Sequence, residues 1–75
     1  MKEHDCVVLL NDLPDDGLQA GDVGTVVHVH KGGGGYEVEF TTLTGRTVCV
    51  ATVMSAQVRP ITRQDIAHVR ELAAA

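Results

Sequence analysis

Residues 23–30 read Val-Gly-Thr-Val-Val-His-Val-His and residues 36–40 read Tyr-Glu-Val-Glu-Phe, with Lys31 and four consecutive glycines between them. Alternating apolar and polar side chains fall on opposite faces of an extended chain, so each segment can cover a core with one face only as a β-strand. The glycines supply turn conformations, and the two segments therefore read as a hairpin. The alternation predicts Val27 and Val29 on the core face of the first strand, opposite Tyr36, Val38 and Phe40 of the second. His28, His30, Glu37 and Glu39 are left on the other face. A helical period does not accommodate this pattern, and that restriction sets the fold class as mainly β.

The remaining segments fit around this hairpin. Residues 6–10 form a continuous apolar run of strand length, which predicts a first strand buried on both faces or at a seam. Residues 11–22 hold Asn, Pro, Gly and four Asp, hence a long surface loop whose Leu13 and Leu18 fold back onto the core. Gly24 marks a bulge, a bend or a close backbone approach. Leu43-Thr44-Gly45-Arg46 turns the chain into a further strand over 47–52, with Val48 and Val50 inward. A single 3₁₀ turn follows, then a very brief strand ending at Pro60, which cannot donate to a ladder. Thr62-Arg63-Gln64-Asp65 has the form of a capping box and predicts a short C-terminal α-helix over about 63–74, with Ile66, Val69 and Leu72 or Ala73 on one face. The whole reads as a single domain, 1–75: a five-stranded SH3-like barrel over about 5–60 with the helix appended.

A chain of 75 residues has room for one core, and a domain of that size buries only about 60% of the surface its unfolded chain exposes. Disulfides, metal or oligomerisation often supply the deficit. Cys6 and Cys49 lie inside apolar runs rather than in a spaced framework, and no leader-like or membrane-length apolar segment precedes them. These features predict a reduced, cytoplasmic protein with no membrane partner and two cysteines serving as small core side chains. Ten acidic and six basic residues give a net charge of −4, which disfavours nucleic acid as a partner.

Gly21-Asp22-Val23-Gly24-Thr25-Val26-Val27 resembles the strand-opening motif of KOW-type SH3-like barrels, and also barrels found beside metalloenzyme subunits. Taken with Val7-Val8-Leu9-Leu10-Asn11-Asp12-Leu13-Pro14-Asp15-Asp16-Gly17-Leu18, Tyr36-Glu37-Val38-Glu39-Phe40 and Arg59-Pro60, it is similar to an uncharacterised family of small bacterial proteins known only as a domain of unknown function. The resemblance implies an SH3-like barrel and brings no catalytic residues to carry over. The segment after Pro60 departs from it.

Several groupings invite chemistry. His28, His30, Glu37 and Glu39 share one face of the hairpin and could supply a zinc site, although alternating polar residues are also what the solvent side of any antiparallel ribbon displays. The glycine run lacks the helix that follows a phosphate loop. Asp12, Asp15, Asp16 and Asp22 do not follow the ligand spacing of a calcium loop. Lys31, Arg46 and Arg59 could line a KOW-like nucleic-acid face, with Arg63 and Arg70 adding local positive charge. No acid, base and nucleophile converge, and with two aromatic residues a proline-peptide groove is poorly supplied. The expectation is therefore a non-catalytic protein-interaction module without a cofactor, which docks a partner protein or its own copies as a homo-oligomer through an exposed barrel edge and the C-terminal helix. Its contact residues are expected at Leu13, Leu18, Met54, Ile66, Val69 and Leu72.

Overall fold

The computed structural model describes residues 1–72. Five antiparallel strands form one sheet: β1 (Cys6–Leu9), β2 (Val23–Val29), β3 (Gly35–Thr41), β4 (Thr47–Met54) and β5 (Val58–Pro60), in the spatial order β4-β3-β2-β1-β5. β1 lies inside the sheet between β2 and β5, and Val7, Val8 and Leu9 of its apolar run are all buried, whereas Cys6 and Leu10 at the ends of the run are exposed. One-turn 3₁₀ segments occupy Pro14–Asp16 in the β1–β2 loop and Ser55–Gln57 between β4 and β5. Among the described residues no ladder joins β4 to β5, so the sheet keeps two edges.

The core is one cluster. Val26, Tyr36, Val38, Phe40, Ala51 and Val53 from β2, β3 and β4 meet Val7 and Leu9 of β1, Val58 of β5 and Leu18 of the long loop. Leu18 is 3% exposed, and Leu13 packs against the same cluster across a short bridge to Leu18, as the loop's two apolar residues predict. Gly24 lies opposite Phe40, and a Cβ there would stand 2.5 Å from Val38 Cγ1 and 2.9 Å from the Glu39 carbonyl oxygen. Close approach of β3, rather than a bulge, is therefore what this glycine permits.

Two bulges shift the alternation read from the sequence. Val26 pairs with Val38 and His28 with Glu37, so Val27 is an extra residue without a partner. Val26 and Val29 consequently turn inward while Val27 is exposed, a correction to the predicted pair Val27 and Val29. In β4 the pairs Phe40 with Cys49 and Thr41 with Thr47 leave Val48 as the extra residue. Val48 and Cys49 both pack on the core, and the inward phase passes to Ala51 and Val53, leaving Val50 53% exposed instead of buried. A one-residue insertion reverses every face beyond it, and nothing in the residue types of a valine-rich strand announces one.

Among the described residues the predicted C-terminal helix is absent: its part within 63–72 is a single turn followed by chain that is neither helix nor strand, and Ala73 and Ala74 lie outside the described residues. The capping chemistry is nonetheless present: Thr62 Oγ1 accepts from the Gln64 N–H at 3.2 Å, and Asp65 Oδ2 accepts from the Thr62 N–H at 2.7 Å. A cap cannot sustain a helix this short without a buried face. The intended stripe has none, with Ile66 93% and Val69 66% exposed. The irregular chain that stands in the helix's place brings Arg70 to Asp22, 48 residues earlier in the sequence.

Candidate functional site

The two edges of the sheet differ in composition. β5 is a three-residue strand ending in proline, with a charged Arg59 at its centre, and such an edge resists pairing with another chain. β4 runs for eight residues, Thr-Val-Cys-Val-Ala-Thr-Val-Met, with no charge and no proline. Its inner side pairs with β3 along its length, and among the described residues no strand pairs with its outer side. Val50 and Met54, 53% and 56% exposed, stand on the outward face. An edge of this length and composition presents unpaired backbone donors and acceptors as a template for another strand.

The face beside this edge is polar and internally satisfied. Thr52 Oγ1 donates to Glu37 at 2.8 Å, and Thr47 Oγ1 donates to Glu39 at 2.7 Å. The His30 ring also pairs with Glu37, and the His28 and His30 rings lie 5.7 Å apart. The His30 and Thr52 hydrogen bonds hold the Glu37 carboxyl below its usual range. Glu39 is thus turned to Thr47, away from the histidines, and among the described residues no three His, Cys, Asp or Glu side chains converge to hold a metal ion. Cys49 packs on the core, and its thiol is pushed up by burial, with a smaller contribution from the Asp16 charge, against the trend of a reactive cysteine. Cys6 is exposed, not the buried side chain expected of it.

The candidate basic residues are dispersed. Lys31 precedes β3 and Arg46 follows it, at opposite ends of that strand. Arg59 is committed to Asp65 through two hydrogen bonds, at 3.0 and 2.7 Å. Arg70 is likewise committed: Nε and Nη2 donate to the two oxygens of Asp22 at 2.8 and 2.6 Å. Asp12 and Asp22 also accept from backbone amides of their own loop, at Ala20 and Gln19, so the acidic loop is partly self-capped.

Of the residues expected to form a contact surface, Leu18 and Leu13 give their side chains to the core, whereas Met54, Ile66, Val69 and Leu72 are exposed. Val50 went unnoticed in the sequence because alternation placed it inside, and the exposed edge expected to dock was not assigned to a strand. The Asp22–Arg70 contact spans 48 residues and leaves no local pattern. Among the described residues no helix is long and apolar enough to cross a membrane. No curated protein and no solved structure matches the chain. The family model for a domain of unknown function, DUF4926, matches residues 3–60, ending where β5 ends, and the chain therefore belongs to that family.

Proposed function

We propose that the domain is a non-catalytic protein-interaction module whose docking element is the outer edge of β4, and whose occupant is the same strand of a second copy. The single observation that carries this reading is an eight-residue edge strand with neither charge nor proline. The rest of the chain carries a net charge of −4, so copies approach most easily where no charge lies, and an antiparallel strand pair is self-complementary about a two-fold axis. Pairing would also add buried surface to a domain too small to bury much of its own. The strand order and the 3₁₀ turn before β5 support reading the sheet as an SH3-like barrel, and two free thiols suit a reducing, cytoplasmic setting. The carboxylates and imidazole beside β4 are engaged with one another and with threonines, which supports a contact surface rather than a reactive one.

The test is a charge on the edge. Sedimentation velocity from millimolar to micromolar concentration is expected to show a reversible dimer for the natural chain, and Val50→Lys is expected to shift it to a monomer that keeps its circular dichroism spectrum and loses the concentration dependence of its melting temperature. A natural chain that remains monomeric throughout, or a dimer indifferent to Val50→Lys, overturns the reading.

A further inference from the structure

Arg70 docks where the fold has already built an acceptor. The backbone of Gly21 and Asp22 is clamped to β1, with the Gly21 N–H donating to the Leu9 carbonyl at 2.8 Å and the Leu9 N–H donating to the Asp22 carbonyl at 2.9 Å. The Asp22 carboxylate is oriented by the Gln19 N–H at 2.8 Å. Asp22 therefore holds its position and direction independently of the tail. The guanidinium meets it with two parallel hydrogen bonds, and Nη2 also approaches the Gly17 carbonyl at 3.4 Å. A planar fork fits this arrangement, whereas a lysine ammonium could satisfy only part of it.

The tail that delivers Arg70 occupies little of the surface it crosses. Ile66 and Val69 are exposed, and hollows of about 450 and 720 Å³ flank the Arg70-Glu71 step, which is a wall they share. Leu18 lines both hollows, with Pro14 on one side and Phe40 and Val48 on the other. Lifting the tail would join them into one groove with an apolar floor and Asp22 at its middle. Asp12, Asp15 and Asp16 in the same loop add negative charge around that point.

We propose that this groove is a recognition site for an extended peptide segment that carries an arginine between apolar residues, and that the chain's own tail is a resident occupant held in cis. The partner chemistry follows from the occupant: a fork on Asp22 sets the register, apolar neighbours enter the hollows, and further basic residues meet the acidic loop. A tethered tail competes at a high effective concentration, so a segment offered in trans binds well only when the tail is weakened or when it makes more contacts than the tail does. The proposal does not depend on whether β4 accepts a strand, and the two fail separately.

The test uses a synthetic peptide of sequence IAHVREL and the ¹⁵N-labelled full chain, natural and Arg70→Ala, followed by amide chemical shifts. The peptide is expected to move the signals of Gly17, Gln19, Asp22 and Gly24 in Arg70→Ala, with a Kd at least about tenfold lower than in the natural chain, where the tail competes. Replacing the peptide arginine by alanine is expected to weaken binding to Arg70→Ala by about tenfold or more, and replacement by lysine by an intermediate factor. The proposal is overturned by any of three results: no shifts up to about 5 mM peptide, equal binding to both proteins, or binding unaffected by loss of the peptide arginine. It is also overturned if the natural chain is a dimer that Arg70→Ala dissociates, because the tail would then belong to a second copy. The peptide variants read the arginine contact without any further change to the protein, which keeps the outcome decisive.

Discussion

Residues 6–60 and the tail 61–72 are held in place by different forces. All eleven buried apolar side chains belong to the first region, and none of the described residues of the second is buried. The tail is fixed instead by two arginine–carboxylate forks, Arg59 with Asp65 and Arg70 with Asp22, the latter reaching back to the loop before β2. Packing in the sheet is insensitive to charge and fails as a unit when its volume changes. The tail buries no side chain among its described residues, so it is expected to leave without unfolding the sheet, with protonation of its carboxylate partners controlling the release. A small domain with one region of each kind has a rigid body and a segment whose docking can be adjusted independently.

The comparison breaks most severely at Phe40, which is 2% exposed and is the largest fully buried side chain. Phe40→Ala is expected to cost about 3–5 kcal/mol, against a total of about 4–11 kcal/mol for a chain of this length. Urea denaturation followed by circular dichroism should find the variant largely unfolded, or with its midpoint lowered by at least about a quarter. A cost under about 1 kcal/mol would mean that the sheet does not enclose the core described above.

The same division marks what could be read from the residues. The body was legible because burial enforces a period: the hairpin around the glycine run, the doubly buried β1, the inward Tyr36, Val38 and Phe40, and the 3₁₀ turn before β5 all follow from local pattern. Phase failed at Val27 and Val48, since a bulge is set by the geometry of the partner strand and not by the residue that is extruded. The tail was misread for the converse reason. Its capping residues are genuine and its apolar spacing is helical, but helix formation depended on a surface to cover, and the sequence offers no sign that such a surface is missing. Arg70 is one of four arginines in the second half and Asp22 one of four aspartates in the loop, and nothing in their local sequence hinted at their pairing.

Acid should sharpen the contrast between the regions. Burial pushes the Asp22 carboxyl up, but the Arg70 hydrogen bonds, the Gln19 N–H and the Arg70 charge outweigh it and hold the group below its usual range. Such a carboxylate favours the docked tail fully above the ordinary carboxylate range, and that contribution is lost as pH falls through the lowered value. Asp65 is depressed more strongly, chiefly by its Arg59 hydrogen bonds and then by the Thr62 N–H. Release is therefore expected in sequence, Arg70 first and the turn over 62–65 at lower pH. No charged group is buried in the core, so the sheet should outlast the release of Arg70. Amide shifts of Val69 and Glu71, compared with those of Val26 and Val38 during an acid titration, check the order. Simultaneous loss of all four would show that tail and sheet are one cooperative unit.

The smallest expected effect is at Ile66, where the helical stripe would have had its first apolar anchor. The side chain is 93% exposed on a segment that is neither helix nor strand, and a substitution at such a site changes stability by no more than about 0.5 kcal/mol. Ile66→Ser should leave the melting temperature and the Val69 amide shift where they are, since neither fork touches this residue. If the tail instead packed by an apolar face, the same change would remove a buried isoleucine and cost about 2 kcal/mol or more. A thermal melt separates these values, and the larger one would mean that body and tail are held by the same force.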